Sequence, residues 1–371
     1  MNTQELLSPT TQRSRPVVSF PASQSLQASA PLRADAVSTG LARLDDAICP
    51  RSREAEGDFV SQGIPQGHVT EIFGPPGVGK TSLALNIASN ALRAGKKVVW
   101  IDTGSPLPRL RLRDTLRKSI QECGCSQTVE ELVQNLILFR APSLPHLLAL
   151  IFHTPSRFPP DSCDLLVIDS ASGPFPSYFP NPTELKTRLA QFKSLDKAQV
   201  QWLMNRNSNV TSDLANKLTR LAATHHTAVL VINQTRTRIR GQVRATLCPV
   251  LAGGGWESSI NTRIVLYRDF PTTEEDIPSK IRFAEVMKRS GKMLALRLQE
   301  NIVPFVIEMD GLRTLDNQPS PPMAAWDSNR AHELTMQRKR KVDEIADSQD
   351  EDDSDDDYGW LDGDDASDIE K

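Results

Sequence analysis

Residues 74–81 read Gly-Pro-Pro-Gly-Val-Gly-Lys-Thr, and this octapeptide constrains the chain more than any other stretch. It fits the pattern G-x-x-x-x-G-K-[ST]. Gly74, Gly77 and Gly79 let the backbone curl so that successive N–H groups face inward, toward phosphate oxygens, with Pro75, Pro76 and Val78 filling the turn. Lys80 then brings its charge near the β- and γ-phosphates of a nucleotide. Thr81 offers a hydroxyl to Mg²⁺, and Ser82 follows it into a helix whose positive dipole end faces the anion. The context is the one the motif requires. An apolar run, Val69–Phe73, precedes it, and Leu83, Leu85, Ile87, Ala88, Ala91 and Leu92 follow at helical spacing. A Gly/Pro turn carrying a surface lysine is the bland alternative, and those flanks argue against it.

Short apolar runs alternate with helical patterns from about residue 38. The spacing predicts strands over 69–73, 97–102, 165–169, 228–233 and 262–267. Each is rich in Val, Ile or Leu, as expected of parallel strands buried on both faces. Helices are predicted over 81–92, 108–121, 144–152, 184–204 and 213–223. After residue 280 the pattern tightens to strands over 282–288, 293–299 and 303–309, read as an antiparallel extension of the sheet. Leu165-Leu-Val-Ile-Asp169 is an apolar strand ending in a carboxylate, which beside a phosphate loop points to a second Mg²⁺ contact.

Charge is unevenly placed. The chain has 43 Lys/Arg and 46 Asp/Glu, but residues 343–371 contain 15 of the acids and one Lys, so residues 1–342 carry a net +11. A basic body with an acidic tail suggests a polyanionic partner. The longest apolar run lies around Leu147–Phe152, too short for a membrane span, and the first residues show no secretory pattern. Five cysteines (49, 123, 125, 163 and 248) without paired metal spacing fit a reducing compartment and argue against a disulfide scaffold or a zinc site. Residues 1–35 are Ser- and Pro-rich, and residues 319–371 carry no periodic core. Both are read as disordered tails. Arg338-Lys-Arg-Lys341 reads as a nuclear import signal, which places the protein in the nucleus. Ser348, Ser354 and Ser367 precede acids and suit an acidophilic kinase.

With both motifs placed, the chain resembles the RecA-like recombinases, specifically the eukaryotic recombinase paralogues of homologous recombination. The segments that carry this are Ser38–Asp45, Gly63–Glu71, Ile168–Ala171, Val231-Ile-Asn-Gln234 and Asn261–Val265, so the resemblance covers about residues 36–315. The phosphate loop and the bare N-terminus look most like the fungal Rad-fifty-five type. The resemblance implies a RecA-like P-loop ATPase core over residues 36–318, α/β, with a mostly parallel sheet and C-terminal antiparallel strands. It implies ATP and Mg²⁺ as cofactors, with Gln234 sensing the γ-phosphate and Arg109 stacking on the adenine, unless Arg109 is an ordinary exposed helix residue. It also implies a recombination mediator in double-strand break repair, working with another paralogue as a heterodimer to assist the recombinase filament. Phe20-Pro-Ala-Ser23 departs from the family's self-association motif, which argues against self-polymerisation. Where the family places a general-base Glu after Asp102-Thr103, this chain has Gly104, so hydrolysis by this chain alone should be weak or partner-assisted. A scaffold that uses ATP only as interface glue is the alternative.

Residues 235–255 contain Arg236, Arg238, Arg240 and Arg244 and no acid. In the resembling family this loop faces DNA, and four arginines suit phosphates without sequence preference. Phe175, Tyr178 and Phe179 lie in an earlier loop and either stack on bases or pack on the body. Lys288 and Arg289 sit where related proteins place cations that reach a neighbour's ATP. The segment 193–209 is read as a helical surface extension.

Overall fold

The computed structural model describes residues 35–50, 62–124, 126–155, 158–160, 162–179, 197–238, 246–268 and 280–315. In chain order the strands are β1 (Ala36–Val37), β2 (Ile64–Pro65), β3 (Val69–Phe73), β4 (Lys97–Asp102), β5 (Leu136–Arg140), β6 (Cys163–Asp169), β7 (Ala228–Asn233), β8 (Thr235–Arg238), β9 (Thr246–Pro249), β10 (Thr262–Tyr267), β11 (Ile281–Arg289), β12 (Lys292–Met293), β13 (Ile302–Glu308) and β14 (Gly311–Thr314). The helices are α1 (Ala42–Ile48), α2 (Lys80–Arg93), α3 (Arg109–Cys123), α4 (Val129–Val133), α5 (Leu144–Phe152), α6 (Phe175–Tyr178), α7 (Lys197–His225) and α8 (Gly254–Ser259).

The main sheet runs β14-β13-β11-β10-β3-β7-β6-β4-β5, with β12 paired to β11. From β10 to β5 every pairing is parallel; β11, β13 and β14 continue the sheet antiparallel. Alternate residues of the parallel strands feed two cores. Ile72, Val98, Trp100, Val167 and Leu230 meet Leu83, Ile87 and Leu116 of α2 and α3. Val69, Val99, Ile101, Leu166 and Val229 meet Leu147 of α5 and Leu214, Leu218 and Leu221 of α7. Burial on both faces is why these strands read as continuous apolar runs. The register sets the carboxyl ends of the strands side by side, with Asp102 opposite Asp169, Asp169 opposite Ile232, and Phe73 opposite Asn233. In an open parallel sheet this edge is where ligands bind.

Several sequence expectations need correction. The helices expected over 184–204 and 213–223 are one helix over 197–225, and residues 184–196 lie outside the described residues. The Asn/Ser-rich joint stays helical because Val210 packs on the core and the Thr211 hydroxyl donates to the Asn207 carbonyl at 2.8 Å. The strand expected over 293–299 is only Lys292–Met293. The chain then turns through Arg297, whose φ is +60° and whose N–H donates to the Glu285 carboxylate at 2.6 Å. β14 supplies the remaining antiparallel strand, and β5 extends the parallel part next to β4. The expected tails, residues 1–35 and 319–371, lie outside the described residues except for Asp35. With them go Phe20–Ser23, Arg338–Lys341 and the tail serines.

Candidate functional site

β3 delivers the chain into the phosphate loop at Gly74, where φ is +153°. A Cβ there would run into the Leu266 carbonyl of β10. At Gly79, φ +105°, a Cβ would strike the Ile307 side chain. The two positions therefore need glycine, for a strained backbone and for close approach to neighbouring strands. Gly79 is also the N-cap of α2 and supplies no side-chain cap. The first-turn N–H groups of a 14-residue helix are thus left for an anion.

Lys80 bends its ammonium back to the Gly74 and Pro75 carbonyls, at 2.6 and 2.9 Å. Burial pushes its pKa below the usual lysine value, and Asp169 partly restores it. The Thr81 hydroxyl donates to Asp169 Oδ2 at 2.8 Å, so the two oxygens expected to face Mg²⁺ already meet between the first turn of α2 and the end of β6. Burial raises the Asp169 pKa; the Thr81 bond lowers it, Asp102 raises it again, and Lys80 lowers it. A carboxylate held at such a cost is relieved by a cation.

Two clefts share Lys80 and Thr81. The first, about 560 Å³, is walled by Pro76, Thr103–Pro106, Asp169, Ser170 and Gln234. Gln234 is anchored by its own N–H to the Ser172 hydroxyl at 2.8 Å, and its side-chain amide lies 3.5 Å from the Ser170 hydroxyl. Ser170 is tied in turn to Thr103 by a reciprocal pair of bonds, 2.8 and 2.9 Å. The strand β6 end, the β4 loop and Gln234 form one hydrogen-bonded rim. The second cleft, about 330 Å³, lies across the loop between Gly77, Gly79, Ser82, Arg111, Arg282 and Ile307. Arg268 closes its edge by donating to the Gly77 carbonyl at 2.9 Å. Burial, then Arg268 and Arg111, lower the Arg282 pKa, and its buried Nε has no partner. Three guanidiniums beside an uncapped helix terminus, joined to a lysine and a Thr–Asp pair, fit a nucleoside polyphosphate with its metal.

Gly104 opens onto the first cleft, and no atom lies within 4 Å of where its Cβ would be. The nearby carboxylate, Asp102, is buried and bound to the Gly104 N–H at 3.1 Å. Arg109 is exposed and lines neither cleft, whereas Arg111, two residues on, reaches the second. The alternating arginines of α3 hide which one faces inward until the helix phase is known. Arg236 is exposed on the hairpin strand β8, and Arg238 closes that strand. The side chain of Arg238 and the whole of Arg240 and Arg244 lie outside the described residues. Lys288 donates to the Glu257 carbonyl at 2.6 Å and Arg289 to the Ala47 carbonyl at 3.0 Å, so both serve their own fold here.

Sequence reasoning missed a buried cluster behind the site. Glu71 of β3 is fully buried and accepts from Asn233 Nδ2 (2.7 Å), Trp256 Nε1 (2.9 Å) and Arg263 Nε (2.6 Å). Asn233 also pairs with both backbone groups of Leu251, where the hairpin returns to the body. The available signal was a single charge inside each of two apolar strands, 69–73 and 262–267.

Fold and site together define a RecA-like P-loop nucleotide-binding protein. The model of the RecA N-terminal domain matches residues 27–121. The DNA repair protein rhp55 of Schizosaccharomyces pombe is 26% identical over 255 residues, covering 58% of this chain and 72% of that protein. The DNA repair protein RAD51 homolog 3 of Cricetulus griseus is 25% identical over 278 residues, 69% of this chain and 65% of its own length. The DNA repair and recombination protein RadB of Methanobrevibacter smithii is 33% identical over 86 residues, 23% of this chain and 33% of its own length. The matches to the latter two span less than two thirds of those proteins. The chain is similar to RecA-like recombinase paralogues and other DNA repair and recombination proteins. Among the described residues no helix is long and apolar enough to cross a membrane.

Proposed function

We propose that the chain is an ATP-binding, DNA-binding recombination mediator that acts in a nuclear paralogue complex and assists assembly of the recombinase filament. The observation that carries this is the cleft pair around Lys80 and Thr81, with Asp169 on one side and Gln234 on the rim that leads into the arginine hairpin. In this reading Lys80 and the loop N–H groups hold the β- and γ-phosphates, Thr81 and Asp169 hold Mg²⁺, and Ser82, Arg111 and Arg282 flank the nucleoside side. Bound Mg²⁺ supplies charge neutralisation for the phosphates. Arg236, Arg238, Arg240 and Arg244 meet the DNA backbone. Gln234 lies between the cleft and the hairpin, so nucleotide and DNA are sensed through one residue.

Gly104 favours a second reading, in which ATP stabilises a heteromeric interface and is never turned over by this chain. Hydrolysis measured with and without single-stranded DNA and a co-expressed paralogue separates the two. Turnover that appears only in the complex and is lost with Lys80→Ala supports a partner-assisted ATPase. Binding without turnover under all these conditions supports the scaffold. A complex that forms undiminished with Lys80→Ala counts against both.

A further inference from the structure

The second cleft, on the nucleoside side of the phosphate loop, has walls of one hydrogen-bonding sense. Three guanidiniums border it, and each is pinned by a terminal nitrogen to a backbone carbonyl. Arg111 donates to Glu308 at 3.3 Å, Arg268 to Gly77 at 2.9 Å and Arg282 to Lys280 at 2.9 Å. The carbonyls at the rim are thus engaged from within the protein. A guanidinium has five N–H donors and no acceptor, so these bonds fix the groups without exhausting them. The Nε of Arg282 is buried and has no partner.

The acids beside the cleft in the chain are already paired. Glu308 meets Lys118 at 3.5 Å and Arg313 at 3.2 Å, and Asp310 meets Lys118 at 3.1 Å. Among the described residues that line the cleft there is no carboxylate and no carboxamide. Its uncharged polar side chains are the hydroxyls of Thr81 and Ser82, and Thr81 is bound to Asp169 at 2.8 Å. Ile307 adds an apolar wall against Gly79.

The edge of the base decides how a nucleotide fits such walls. Adenine presents N7 as an acceptor and its exocyclic amine as a donor. A guanidinium serves N7, but the amine gives up water and meets further donors, which costs binding. Guanine and hypoxanthine present N7 and O6, two adjacent acceptors that one guanidinium fork holds together.

We propose that the second cleft selects oxopurine triphosphates, GTP and ITP, over ATP, and that Arg282 supplies the fork that reads O6 and N7. This rests on the nucleotide-binding reading above, in which Lys80, Thr81 and Asp169 hold the triphosphate and its metal, and concerns the base alone. ATP remains a ligand, and the weaker one.

The test is displacement of N-methylanthraniloyl-ADP from the full chain by ATP, GTP and ITP, each with Mg²⁺. GTP and ITP should compete about 5- to 150-fold better than ATP, the worth of one bidentate guanidinium–purine pair. ITP lacks the amine of guanine, so its ranking with GTP assigns the preference to O6 and N7. Arg282→Ala should erase the preference. Arg282→Lys, which keeps the charge and loses the fork, should erase it too. A preference that survives in Arg282→Lys overturns the fork, because the residue then acts as a charge on phosphate. ATP that competes as well as GTP and ITP, or better, overturns the selectivity while leaving nucleotide binding intact. The wild-type ranking decides the proposal alone if either variant fails to fold. Wild-type chain that binds neither the probe nor any of the three triphosphates overturns the nucleotide-binding reading itself.

Discussion

The buried pair of Glu71 and Arg263 offers the sharpest energetic test of the fold behind the cleft. Glu71 is fully buried, Arg263 is 8% exposed, and their contact is 2.6 Å. Glu71→Met leaves the guanidinium with Glu257, 3.7 Å away and itself 55% exposed, and with the face of the Phe73 ring, 5.9 Å from its centroid. Breaking one side of such a pair costs about 3–5 kcal/mol, because a charge remains buried without compensation. The Asn233 and Trp256 donors lose their acceptor as well, at about 1–3 kcal/mol each, though groups in one network do not add. Set against the roughly 5–15 kcal/mol that holds a domain together, either single change removes a large share. Replacing both partners with methionine fills a similar volume and removes both charges, a swap that is often neutral or stabilising by about 1–4 kcal/mol. The double variant Glu71→Met/Arg263→Met should therefore be more stable than either single variant, giving a coupling of about 2–3 kcal/mol. Urea unfolding followed by circular dichroism on the four proteins of the cycle gives the number. Single losses that simply add in the double variant would refute the reasoning.

Three further outcomes follow from the site. Gly104→Glu places a carboxylate in open space at the first cleft, and should raise ATP hydrolysis by up to about 10²–10⁴-fold in a phosphate-release assay, the range of general-base help; an unchanged rate refutes it. Asp169→Asn removes a carboxyl whose folded pKa lies above its unfolded value of 3.8, so the native state loses stability as pH rises from the unfolded to the folded pKa. The variant should therefore melt higher than wild type at neutral pH without nucleotide, the gain should fade below the ordinary carboxylate range, and the Mg²⁺-ATP thermal shift should disappear. Arg236→Ala should flatten the slope of log affinity against log salt for single-stranded DNA by about 0.7, one phosphate contact; an unaltered slope removes Arg236 from the interface.

The nucleotide half of the site was legible because its chemistry is local. A phosphate loop must spell its glycines, lysine and threonine consecutively, and Asp169 announces itself as a charge ending an apolar run. The five parallel strands were equally plain, since burial on both faces leaves no alternation to misread. What failed was whatever depends on phase or on distant partners. The break expected between the helices 184–204 and 213–223 does not occur, because Val210 finds the core and the Thr211 hydroxyl bonds back within the helix. Residues 293–299 look like a strand by alternation, yet Leu296 and Leu298 stay exposed because the Glu285 carboxylate captures the turn at Arg297. Arg109 and Arg111 are indistinguishable in the sequence, and only the helix phase turns Arg111 toward the second cleft.

Glu71 shows the same limit from the other side. Its presence in an apolar strand was visible, but its meaning was not, because its three donors come from 162, 185 and 192 residues away in the chain. Through them the strand that enters the phosphate loop is bonded to β7 at its last residue, Asn233, just before Gln234, to the return of the hairpin at Leu251 by way of Asn233, and to α8. An apolar residue at 71 would pack β3 but leave Asn233 and Trp256 without an acceptor. The buried carboxylate thus fixes where the hairpin joins the body relative to the phosphate loop, as the proposed coupling of nucleotide to DNA would require. Its loss should therefore alter the nucleotide dependence of DNA binding before it abolishes either ligand. That ordering can be read from thermal shift and anisotropy on Glu71→Gln, which keeps an oxygen for Asn233 and Trp256 and gives up the pairing with Arg263. Nucleotide dependence equal to wild type in a folded Glu71→Gln protein would show that the junction is structural alone.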